Sequence, residues 1–125
     1  MKNKIVYKEE SYQIMGTCFE VYKEMGCGFL ESVYQECLEV EFNNKGLPVK
    51  SQKLVSLKYK GQKLKYTFVP NFLCYEKIIV EIKAVSNLID DRRSQVLNYL
   101  NASGINLGLL VNFGHHPKLE YERFV

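Results

Sequence analysis

The stretch VPNFLCYEKIIVEIKAV, residues 69–85, sets an acid and a base two positions apart in an otherwise apolar run. Side chains two apart on a strand share a face, so Glu81 and Lys83 point one way while Val80, Ile82 and Ala84 point the other. A carboxylate and an ammonium on a buried strand are costly unless they pair or bind a metal ion. Two chemistries are therefore open: a structural ion pair, or a polar site that takes a cation. Three further features bear on the choice. Asn71 lies near the end of the preceding run, where a short hairpin brings it beside Glu81. Glu31, in GCGFLESVY, falls on a helical turn that already carries core residues. Gln95 and Tyr99 stand i and i+4 on another helix and share its face. Arg92 and Arg93, just ahead of Gln95, are placed either to reach a phosphate or to form an exposed first-turn pair.

These residues need elements to position them. Apolar residues at helical spacing (Ile14, Met15, Cys18, Phe19, Val21, Tyr22, Met25) predict a helix over 7–25, broken by Gly26 and Gly28. LESVYQECLEVEFNNKG predicts a second helix with Leu30, Val33, Tyr34, Cys37, Leu38 and Phe42 inward, stopped by Asn43, Asn44 and Gly46. Three strand-like runs follow, over 49–59, 62–74 and 77–85, with turns at Lys60-Gly61 and Tyr75-Glu76. They read as a three-stranded meander whose last strand is central. Asp90 or Asp91 can cap a third helix that runs to about Ala102 and closes at Gly104. INLGLLVNFG reads as a buried strand and KLEYERFV as an edge strand. The order is ααβββαββ in an α+β fold, with residues 1–125 as one domain.

That order, a helix glutamate, a "PD"-like position, E-x-K on the next strand and Q-x-x-x-Y on the following helix together resemble the PD-(D/E)xK nuclease superfamily. More narrowly, GFLESVY (Gly28, Glu31, Tyr34), IIVEIKAV, SQVLNYLNASG and GLLVNFG resemble the small bacterial proteins called the GxxExxY family. The resemblance covers nearly the whole chain and implies a restriction-endonuclease-like core, a mixed central sheet flanked by helices. It implies that the acid at position 71, Glu81 and the carbonyl of Ile82 hold Mg²⁺ or Mn²⁺, with Glu31 assisting directly or through water. Such ions take hard oxygen ligands. By the same resemblance Lys83 orients the attacking water or neutralises the phosphate, and Gln95 and Tyr99 contact the nucleic-acid backbone or steady the site. The chain departs from the pattern at position 71, where it has Asn. An amide oxygen can ligate but carries no charge, so the expected metal site is weakened.

The remaining features leave alternatives open. Lys58/Lys60 and Lys63/Lys65, with Tyr59 and Tyr66 interleaved, fit a phosphate-tracking surface or a hairpin kept soluble by its lysines. His115-His116 reads as a solvated loop pair. The four cysteines show no zinc spacing and read as reduced thiols. A net charge of +3 over 125 residues permits nucleic-acid binding without demanding it. No apolar run is long enough for a membrane span and no signal peptide is evident, so the expected location is the cytoplasm. Three functions are carried forward: a metal-dependent nucleic-acid phosphodiesterase, an inactive relative that binds nucleic acid or a protein, and a structural homo-oligomer.

Overall fold

The computed structural model describes residues 6–125. Two helices lead the chain, α1 (Lys8–Met25) and α2 (Glu31–Lys45). β1 (Val49–Ser51), β2 (Val55–Tyr59), β3 (Gln62–Phe68), β4 (Phe72–Cys74) and β5 (Ile78–Lys83) follow. The chain closes with α3 (Asp90–Ser103), β6 (Leu107–Asn112) and β7 (Glu120–Phe124). The expected order holds, with the first two strand runs each bent into a pair. β1 and β4 join a five-stranded sheet in the order β1-β4-β5-β6-β7, while β2 and β3 leave it as a separate two-stranded ribbon. β5 is central, antiparallel to β4 and parallel to β6, with α3 as the crossover. Edge strand β7 alternates in burial as its sequence suggests.

The sheet buries both faces. Ile78, Val80 and Ile82 of β5 pack under α1 and α2 with Ile14, Leu38 and Phe42. Ile79 of β5 joins Leu73, Leu110, Val96 and Leu100 beneath α3, with Val55 and Phe68 at the base of the ribbon. Gly108 lets α3 come close: a Cβ there would lie 2.8 Å from Val96 Cγ1. Tyr34 is fully buried, stacked on Phe113 with ring centroids 4.7 Å apart.

Local details correct some expectations. Asp90 and Asp91 do not cap α3: Ile89 occupies that position, and both acids fall in the first turn, where they complement the helix dipole. Leu30 and Phe19 are exposed rather than inward: Leu30 is the extended N-cap residue ahead of α2, and Phe19 packs edge-on against Tyr121 near the surface. Lys60 sits in the ribbon's two-residue turn with positive φ, so it does not share a strand face with Lys58. All four cysteines are unpaired, and burial pushes the Cys18 thiol up to about 12. Among the described residues no helix is long and apolar enough to cross a membrane.

Candidate active site

β4 is only three residues long and pairs with β5 no further than Phe72 with Val80. Beyond that point β5 is paired on its β6 side alone, and Asn71 lies against the open edge, while Glu81 and Lys83 project from a face of the sheet. Pro70 ends the ladder because it has no N–H to give. Asn71 then closes the gap with its side chain. Its Oδ1 accepts the Ile82 N–H at 2.8 Å, and its own backbone N–H donates to Glu81 Oε1 at 3.2 Å.

Helix α2 supplies the opposite wall. Glu31, Gln35 and Glu39 are spaced by four and share one face. Gln35 Oε1 accepts from Asn71 Nδ2 at 3.0 Å, and Gln35 Nε2 donates to Ser51 Oγ at 2.9 Å and to the Asn71 carbonyl at 3.3 Å. Ser51 donates in turn to Glu39. Glu31 is the first residue of α2, and the loop before it is tied down by Tyr34. The Tyr34 hydroxyl donates to the Gly26 carbonyl and accepts the Phe29 N–H. Gly28, at φ +111°, takes a conformation that side-chain-bearing residues rarely adopt. The glycine and tyrosine that flank Glu31 thus fix where its helix begins.

Glu81 is half-buried, and burial raises its carboxyl from 4.5 to about 7. Lys83 and the Asn71 N–H pull it back down, and the charge of Glu31 adds to the rise. Among the described residues, neither Glu81 nor Lys83 takes part in any ion pair. A carboxylate held out of water without a bonded counter-charge is poised to accept a proton or a cation.

A substitution tests this reading. The folded protein holds the Glu81 proton more tightly than the unfolded chain, so stability is fully present below about pH 4.5 and is lost as pH rises through 7. Gln mimics the protonated acid. In metal-free buffer Glu81→Gln is expected to match the parent near pH 4.5 and exceed it at pH 8 by about 2 kcal/mol, read by urea unfolding. A loss at pH 8 would instead mark Glu81 as a partner in an internal ion pair.

The other candidates lie on or beside α3. Gln95 is exposed on it. The Tyr99 ring stacks on Phe68 at 3.9 Å, nearly parallel, and so ties α3 to the ribbon. Arg93 donates to Asp90 at 3.0 Å and to Glu122 of β7, while Arg92 is half-buried with no side-chain partner among the described residues. His115 Nδ1–H donates to the Lys118 carbonyl at 2.7 Å, in the turn ahead of β7. Gln35, Glu39 and Ser51 escaped the sequence reading, although the four-residue spacing from Glu31 was there to be followed. So did Asn112, a fully buried amide in an apolar strand.

The donor set is all oxygen: two carboxylates, an amide and backbone carbonyls. It suits a hard divalent ion in kind and falls short in charge. Among the described residues no three His, Cys, Asp or Glu side chains gather into a metal-holding group.

A family model described as the PD-(D/E)XK nuclease superfamily matches residues 8–124. No curated protein sequence matches the chain. Among solved structures, the crystal structure of SSO0001 superposes with a TM-score of 0.56 at 15% identity, over 94% of this chain. The chain spans 56% of the length of that protein, and at this identity the likeness is one of fold.

Proposed function

Because the chain belongs to the PD-(D/E)XK nuclease superfamily, we propose that it is a metal-dependent nucleic-acid phosphodiesterase, one domain over residues 1–125, with a site weakened by Asn71. The observation that carries this reading is Glu81, half-buried, charge-coupled to Glu31 and free of any ion pair with Lys83. Glu81, Glu31 and the Ile82 carbonyl are the groups that would hold Mg²⁺ or Mn²⁺. When bound, such an ion supplies an acidified water and charge neutralisation at the phosphate. Lys83, on the same strand face as Glu81, stabilises charge developing on the phosphate oxygens. Gln95 reaches the backbone from α3, and Tyr99 steadies that helix. The finer likeness to the GxxExxY proteins rests on Gly28, Glu31 and Tyr34, and the Gly28 turn and the Tyr34 hydroxyl support it by tying down the loop ahead of Glu31.

One observation favours the inactive relative as a second reading. The Asn71 amide oxygen is already taken by the Ile82 N–H, and the amide nitrogen is needed by Gln35.

The two readings separate on metal. Mn²⁺ at about ten times its dissociation constant should stabilise the nuclease by roughly 1.4 kcal/mol, read as a rise in Tm, and supercoiled plasmid should be nicked slowly. No rise at millimolar Mn²⁺, with no nicking, favours the inactive relative.

A further inference from the structure

We propose that the β2–β3 ribbon is a docking arm for double-stranded DNA. The proposal rests on the nuclease reading only for what the DNA is delivered to.

Residues 54–70 contain four of the chain's 17 basic side chains and none of its 14 acids, which leaves 13 basic against 14 acidic residues elsewhere. All of the net positive charge of +3 is therefore in the ribbon. Among the described residues, Lys58, Lys60, Lys63 and Lys65 form no ion pair, while Lys45, Lys50, Lys53 and Lys77 all do. Lys58 stands directly opposite Lys63 across the ribbon. Like charges placed opposite each other destabilise a strand pair, so the cross-strand pairing itself gives no reason for them, and solubility needs no such facing pair. A polyanion does.

Shape narrows the choice. β3 is exposed along both faces until it reaches Phe68, and β2 is exposed at Lys58 and Tyr59, so the turn end of the ribbon stands clear while its base packs beneath α3. A two-stranded ribbon fits the major groove of B-form DNA, which is about 12 Å wide, and A-form RNA closes that groove to side chains. Alternation along β3 puts Lys63 and Lys65 on one face and Leu64 and Tyr66 on the other. Lysine ammonium groups suit phosphate contacts, which position a duplex without reading its sequence. Position completes the case. Phe68 anchors the ribbon to Tyr99, and Val55 and Phe68 share an apolar cluster with Ile79, whose row along β5 continues as Glu81 and Lys83. Duplex held by the lysine arm is thus brought toward the sheet face that carries the acid and the base.

The test is fluorescence anisotropy with a duplex of about 20 base pairs, without divalent metal, between about 50 and 200 mM salt. K58Q/K60Q/K63Q/K65Q should bind about 100-fold more weakly at low salt, with the salt slope smaller by about 3. K58R/K60R/K63R/K65R should bind like the parent, and circular dichroism should show both variants folded. E81Q should retain binding. The arm is overturned if the glutamine variant is folded and keeps its affinity and slope, or if the parent fails to bind duplex at low salt. It is also overturned if single-stranded DNA or an RNA duplex of equal length binds as tightly. Ribbon-dependent binding without metal-dependent nicking would sink the nuclease reading and leave the arm standing; nicking that survives in the glutamine variant would do the reverse.

Discussion

Asn71→Asp is expected to raise Mn²⁺ affinity by about 100-fold and to convert slow plasmid nicking into readily measured cleavage. The change adds one negative charge beside the Ile82 N–H and Glu81, and attraction between anionic oxygens and the ion offsets the cost of stripping its water. The same change has a cost in the metal-free protein. One Asp oxygen can keep the Ile82 N–H, but the other now faces Gln35 Oε1, where an amide donor stood. Gln35 must turn its amide and give up its bonds to Ser51 and the residue 71 carbonyl. The apo variant should therefore lose about 1–2 kcal/mol, which Mn²⁺ restores. Calorimetry gives the affinity, melting with and without metal gives the crossover, and adding Lys83→Ala should remove cleavage without removing Mn²⁺ binding. A variant that binds no better and cuts nothing would mean that the remaining donors do not form a metal site.

The second large effect is on stability. Asn112→Ala should cost about 4 kcal/mol, measured by urea unfolding, because the Asn112 side chain is fully buried and fully engaged. Its Nδ2 donates to the Val85 carbonyl at 2.8 Å and to Glu120 Oε1 at 2.9 Å, and its Oδ1 accepts the N–H groups of Val85 and Gly114, both at 3.0 Å. The amide thereby continues the β5–β6 ladder after the backbone has left it, and the Phe113 N–H donates to the Lys83 carbonyl at 2.8 Å beside it. Gly114 permits the crossing: a Cβ there would lie 2.5 Å from the Val85 backbone. Truncation strands several buried polar groups and frees the chain just after Lys83. Metal-induced stabilisation should fall with it. A loss below about 1 kcal/mol would mean that water replaces the amide.

Much of the fold was legible because single residues enforce it. Gly26, Gly46 and Gly104 end the three helices where the sequence suggests, each with positive φ. Lys60-Gly61 forms the two-residue turn of the ribbon, and both of its residues have positive φ, as tight hairpins need. Period-two alternation puts Glu81 and Lys83 on one face, and the short hairpin at Tyr75-Glu76 puts Asn71 next to Glu81, to which its N–H donates. The splitting of the strand runs was less legible. Pro70 was a visible signal that the second run could not be one strand, but nothing local marks the bend at Gln52, whose φ is +53°. That bend is imposed by β1 pairing with β4 while β2 turns to pack beneath α3. The ion-pair reading of Glu81 and Lys83 was open on spacing alone, and only the three-dimensional arrangement separates them. The weight carried by Gln35 and Asn112 was not legible, for one shared reason. Their importance lies in which backbone groups they serve, and those groups belong to distant segments.

Four lysines in the ribbon, set against one more acid than base in the rest of the chain, separate charge along the molecule despite its modest overall charge. In the field of a long anion such a body feels a torque before it touches, and it arrives with the hairpin tip leading. Encounters that would otherwise demand a rotational search are pre-aligned, so dissolved ions should slow arrival far more than they hasten departure.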